Sequence, residues 1–288
     1  MAKRYELDPN DPRTKLNDNV KHALRTIPVY FSSPINIEGI MATDLFSLNT
    51  MLAGAIEENT VMALNNNRAL WDPDSEWLDY YFKRYPESFP DVRLENDNNA
   101  KPIIGIELKG WYLLAKEEEP SFRFKASANA MTEWDLIAVY PWTLNNLLSG
   151  RPLILNPFIE QSKYAADLRT EYWEHRSETA AKVQHPDTKP YPAAGSQYSD
   201  VVTDDKGGNF GRIARISGLM DEWLNETMNT PILGIEAHWW VNFLKLFSEK
   251  NNEDTIKKKF AILAKNAGKD NEWAEEVFVK VMQLIEMG

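Results

Sequence analysis

Asp91, Glu107 and Lys109 are the residues of this chain whose types and spacing could do chemistry. Glu107 and Lys109 stand two apart in Ile103-Ile104-Gly105-Ile106-Glu107-Leu108-Lys109-Gly110-Trp111, which reads as a strand. Side chains alternate across a strand, so the acid and the base emerge on one face and Ile104, Ile106 and Leu108 on the other. Pro90-Asp91-Val92-Arg93-Leu94 reads as the strand before it, and the Asn- and Asp-rich stretch 95–102 as the turn between them. With Asp91 delivered from the neighbouring strand, three charged groups would converge. Two carboxylates can hold Mg²⁺, which takes oxygen ligands and keeps several waters. A lysine on the same face can orient a water and stabilise charge on a phosphate. Gly105 lies on that face too, where the missing side chain would leave room for a bulky ligand.

The elements that must position these groups can be read around them. Residues 43–66 carry a helical pattern, with Thr43 or Asp44 as its cap and Leu45, Leu48, Leu52, Ala55, Asn59 and Met62 on one face. Glu58 then falls beside Met51 and Met62 at the edge of that stripe, with Glu57 further out. Glu58 is therefore the acid expected to turn towards a site beneath the helix, with Glu57 as the alternative. Residues 1–40 are polar and proline-punctuated, with one short helix at 18–26. Residues 70–90 read as a short aromatic helix in which Trp77, Tyr80, Tyr81 and Tyr85 are packing residues, and Pro73-Asp74 as a helix start. A third strand is expected at 121–125. Trp134-Asp135-Leu136-Ile137-Ala138-Val139-Tyr140-Pro141-Trp142 reads as a buried strand, with Pro141 marking its end. Helical signals follow at 157–183, with Gln161 on the helix surface, and again at 212–227, 232–248, 255–267 and 271–286. Residues 184–211 are polar, and His238-Trp239-Trp240 is expected in a core. This order implies an α/β core with a helical C-terminal part.

Composition bounds the function. The 288 residues suffice for a full core, and 43% hydrophobic with 26% charged residues is ordinary for a globular protein. A formal net charge of −11 argues against indiscriminate binding of nucleic acid, though a local basic lining can coexist with an acidic exterior. Zero cysteines exclude disulfides and thiolate metal sites, and the four histidines are too scattered for a zinc set. No apolar run is long enough to span a membrane, and the first residues lack the apolar stretch of a secretory signal, so a cytoplasmic protein is expected.

Pro90-Asp91 and Glu107-Leu108-Lys109 together resemble the motif of the PD-(D/E)XK nuclease superfamily, with an acid-bearing helix upstream as in that group. The Trp-Asp-Leu-Ile-Ala-Val strand after the motif is most similar to type II restriction endonucleases. The resemblance implies a restriction-endonuclease-like core, a mixed central sheet flanked by helices, within residues 1–180. A DNA-recognition loop and helical region at 181–288 would pack on it as one unit. It implies a Mg²⁺-dependent endonuclease cutting double-stranded DNA at a short sequence. Asp91 and Glu107 would hold the metal, with the Leu108 carbonyl as a further ligand. Lys109 would orient the attacking water, and Glu58 would assist. Cutting both strands of a palindrome needs two sites, hence a homodimer. Phosphate contacts and base reading favour Lys, Arg, Asn and Gln. Lys182, Gln184, His185, Lys189, Lys206, Asn209, Arg212 and Arg215 supply them in and beside the polar stretch. The alternatives are a structure-specific repair or recombination nuclease of the same superfamily, and a non-catalytic binding or scaffold protein.

Overall fold

The computed structural model describes residues 2–39, 48–86, 88–97, 99–115, 118–120, 126, 128–177, 213–245, 252–266 and 268–286. The fold is α/β, a mixed six-stranded sheet with helices on its faces. The chain opens with α1 (Pro12–Tyr30), longer than the helix expected at 18–26. Its start is written in Asp11-Pro12: the Asp11 carboxylate accepts the Arg13 N–H, and proline suits the first helical position. Pro28 lies inside this helix and has no N–H to give to the Leu24 carbonyl, so the fully buried Tyr140 hydroxyl donates to it at 2.9 Å. That bond ties α1 to the centre of the sheet.

After α2 (Leu48–Asn66) come β1 (Tyr81–Arg84), β2 (Val92–Asn96), β3 (Asn99–Tyr112), β4 (Leu136–Leu144), β5 (Pro152–Ile154) and β6 (Phe158–Gln161). Among the described residues the strand order is β1-β2-β3-β4-β5, with β6 also paired to β4, and only β3 and β4 run parallel. The aromatic helix expected at 70–90 is replaced by a short 3-10 turn at Arg68–Leu70, further turns and β1. Asp74 lies in one of those turns, paired with Lys15 at 2.7 Å. Pro141 does not end its strand. It sits where β4 passes from β6, which pairs 136–139, to β5, which pairs 142–144. A missing donor costs no ladder bond in that gap, while the Pro141 carbonyl still accepts from the Leu155 N–H at 2.8 Å. The strand expected at 121–125 lies outside the described residues.

The helix expected from 157 begins five residues later: Phe158–Gln161 is β6, and α3 spans Ser162–Ser177. Gln161 is buried, not on a helix surface. Its amide accepts from the Tyr5 N–H at 2.9 Å and donates to the Tyr5 carbonyl at 3.0 Å, holding the N-terminal segment alongside β6. The C-terminal part contains α4 (Asp221–Met228), a small hairpin of β7 (Pro231–Ile232) and β8 (Ile235–Glu236), then α5 (Ala237–Lys245), α6 (Glu253–Asn266) and α7 (Asn271–Glu286). Residues from Ile213 to Leu244 share the main core with the sheet, whereas Ile256, Phe260, Ala264, Ala274 and Phe278 form a second cluster between α6 and α7. His238, Trp239 and Trp240 are half-buried rather than core. No helix among the described residues is long and apolar enough to cross a membrane.

Candidate active site

The β2–β3 register pairs Val92 with Ile106, so Asp91, one residue before β2, falls opposite Glu107. Directly opposed residues of an antiparallel pair share a face. Lys109 lies on that face two residues on, and its ammonium stands 2.6 Å from Glu107 Oε1 and 3.5 Å from Asp91 Oδ2. The three groups read as convergent from spacing alone therefore do meet. The Leu108 N–H donates to Asp91 Oδ2 at 2.8 Å. A residue's N–H and C=O leave a strand on the same edge. The Leu108 carbonyl thus lies on the edge from which Asp91 approaches, away from β4.

Asp91 is held in place from behind. A Cβ on Gly105 would stand 2.5 Å from Pro90 Cγ and 3.1 Å from Asp135 Oδ1. Gly105 therefore admits the proline ring of the motif itself, not a bulky ligand as its face had suggested. Asp135, fully buried, accepts the Gly105 N–H at 2.6 Å and the Thr132 N–H at 2.7 Å. Arg93 donates to Ser88 Oγ at 3.0 Å and to the Phe89 carbonyl at 3.2 Å, fixing the turn that leads into Pro90-Asp91.

The helix acid is Glu57, and the expectation for Glu58 is corrected. The buried side of α2 is Leu52, Ile56, Thr60, Ala63 and Leu64, while Met62 is 52% exposed. Glu58 shares its stripe with Met62 at i+4 and is exposed; Glu57 shares its own with Val61 and Leu64, which are buried. Had the apolar face been centred on Ile56 rather than on Leu48 and Ala55, the sequence would have named Glu57. Gly110 completes the placement: a Cβ there would stand 3.0 Å from Ile56 Cδ1, so the glycine lets α2 settle close to β3. Glu57 then accepts from Arg84 Nε at 3.0 Å and Nη2 at 2.9 Å.

Burial is the main force on these groups. Desolvation pushes the Glu107 carboxyl up to about 8, Lys109 opposing and Asp91 adding to the rise. Desolvation works to lower Lys109, but the attractions of Glu107, Asp91 and Glu57 together outweigh it and hold the ammonium charged. Glu57 is raised, first by burial and then by the charge of Asp91.

No family model, no curated protein and no solved structure matches this chain. The site is therefore judged on its own chemistry. Among the described residues no group of three or more His, Cys, Asp or Glu side chains is placed to hold a metal ion. What the site offers is two carboxylates and a strand-edge carbonyl, a set that suits Mg²⁺, commonly held by one or two carboxylates and water. Glu107 Oε2 is buried and accepts no hydrogen bond, a state that a proton shared with Asp91 or a bound cation would answer. The donor set and the orphaned oxygen fit a small hard cation. Of the residues read as contacting DNA, Lys182, Gln184, His185, Lys189, Lys206, Asn209 and Arg212 lie outside the described residues. Arg215 lies in a short 3-10 turn, and its side chain is likewise outside the description. Arg84 and Asp135 were not singled out from sequence. An arginine on a short strand and an aspartate before one carry no local signal of what they will touch.

Proposed function

We propose that this chain is a Mg²⁺-dependent endonuclease of the PD-(D/E)XK type, with a restriction-endonuclease-like core, that hydrolyses phosphodiester bonds of double-stranded DNA at a short sequence. The observation that carries this reading is the meeting of Asp91, Glu107 and Lys109 at one buried place, with a single lysine contacting both acids. Asp91 and Glu107 would hold the cation, joined by the Leu108 carbonyl; the ion supplies Lewis-acid polarisation of the phosphoryl group and neutralises charge that develops there. Lys109 orients a water and offers its ammonium to the phosphate oxygens as negative charge grows. The water oxygen bonds to phosphorus in line with the departing sugar oxygen, whose bond to phosphorus breaks; the attacking water's proton passes to solvent or a nearby base, and the sugar oxygen takes up a proton from solvent water. Glu57 takes the assisting role first read for Glu58, because it is the helix acid that feels the charge of Asp91 and whose own charge is felt at Lys109.

Two copies of this site acting on opposite strands of a palindrome would make the working unit a homodimer. Digestion of DNA of known sequence with Mg²⁺ is the test. Discrete fragments ending at one short sequence, abolished by EDTA, are expected. Fragments set by junctions or ends would point to the repair enzyme instead, and intact DNA across varied substrates with Mg²⁺ or Mn²⁺ would overturn the proposal.

A further inference from the structure

Arg84 is the last residue of β1, opposite Val92, and the next residue, Tyr85, donates its N–H to the Asp91 carbonyl at 2.7 Å. The arginine therefore stands where the strand carrying Asp91 begins. Its guanidinium grips Glu57 through two nitrogens on one oxygen, Oε2, with side-chain exposures of 28% for Arg84 and 16% for Glu57. Gly54, one turn before Glu57 on α2, lies beside the guanidinium: a Cβ there would stand in ordinary contact with Arg84 Nη2 at 3.4 Å. Two elements, β1 through Arg84 and α2 through Glu57, thus meet in one contact.

We propose that Arg84 is a positioning residue of the cation site, which fixes the Glu57 carboxylate from α2 against the Asp91–Glu107–Lys109 cluster. It does not touch the reacting atoms. This inference rests on the reading of the site as a cation-dependent nuclease centre and adds the group that orients the helix acid beside it. Groups of this kind, one contact removed from a metal, set the orientation of the acids around it.

Charge makes the role testable by sign. If Arg84 acted only as a nearby positive charge, its removal would strengthen cation binding, because like charges repel. A positioning role requires the opposite. Titration calorimetry of the whole chain with Mn²⁺ is expected to show binding to wild type and about tenfold weaker binding to Arg84→Met and to Glu57→Gln. The double variant should bind no worse than Glu57→Gln to within about twofold, since each change breaks the same contact. Arg84→Lys keeps the charge but not the two-pronged hold, and it too should bind more weakly than wild type. It carries the test if Arg84→Met does not fold by circular dichroism. Binding by Arg84→Met or Arg84→Lys equal to or tighter than wild type would overturn the inference alone. So would an equal loss from Arg84→Met in the wild-type and Glu57→Gln backgrounds. Absence of Mn²⁺ and Mg²⁺ binding by wild type would overturn the nuclease reading and this inference with it.

Discussion

Lys109 makes unequal contacts with its two acids, 2.6 Å to Glu107 and 3.5 Å to Asp91, and Glu107 is the more deeply buried partner. Removing Lys109 takes away the charge that opposes the rise of Glu107, so the acid is left to bind a proton in its buried place; breaking a buried pair in this way costs about 3–5 kcal/mol. The upper part of that range does not apply here, because Lys109 keeps 22% of its side chain exposed. Lys109→Met is expected to lower unfolding free energy by about 3 kcal/mol in denaturant titration without cation, and by less with Mg²⁺ present, since the ion can answer the Glu107 charge. Equal losses with and without Mg²⁺ would count against a cation at Glu107. The two helix acids give a second expectation. Glu57→Gln should reduce DNA cleavage by about 10- to 100-fold, and Glu58→Gln should leave it within about twofold of wild type. The reverse order would restore the assignment that Glu57 displaced.

At the scale of elements, the site depends on two close approaches permitted by glycine. Gly105 admits Pro90, and Gly110 admits α2. Gly105→Ala sets a Cβ 2.5 Å from a ring carbon, which forces the Pro90-Asp91 turn to move and should cost about 1–3 kcal/mol. Cleavage should fall further than that destabilisation explains, because Asp91 moves with Pro90. Gly110→Ala meets the end of the Ile56 side chain at 3.0 Å, which can turn aside, so a milder loss is expected. Thermal melts and cleavage rates of the two variants compare these effects. Why β2 and β3 were legible in the sequence follows from the same elements: Ile104, Ile106 and Leu108 alternate with Glu107 and Lys109, and a period of two with charge on one side has few other solutions. β1 was not legible. Tyr81-Phe82-Lys83-Arg84 is short, follows Pro73 and Trp77 and resembles the aromatic stretch around it, so only its pairing to β2 makes it a strand. The α2 stripe was misplaced because Met62 counts as apolar by type yet is exposed, whereas Thr60, polar by type, is fully buried.

For the whole molecule, the proposed function requires an acidic chain of net charge −11 to bring a polyanion to a buried acid cluster. A cation that binds the folded protein alone makes the fold more stable by mass action, about 2.7 kcal/mol at a hundredfold excess over its dissociation constant. Wild type is expected to melt higher in Mg²⁺ than in EDTA, and Asp91→Asn with Glu107→Gln to melt alike in both. An identical gain in the double variant would place the ion elsewhere. Catalysis by this site remains the central claim, and plasmid digestion by wild type and Lys109→Ala side by side in Mg²⁺ tests it most directly. Folding free energies of about 5–15 kcal/mol leave room for the variant to stay folded, which circular dichroism checks. Wild type should linearise or fragment the plasmid while folded Lys109→Ala is slower by about 100-fold or more. Equal cleavage by both, or none by either, would contradict the account.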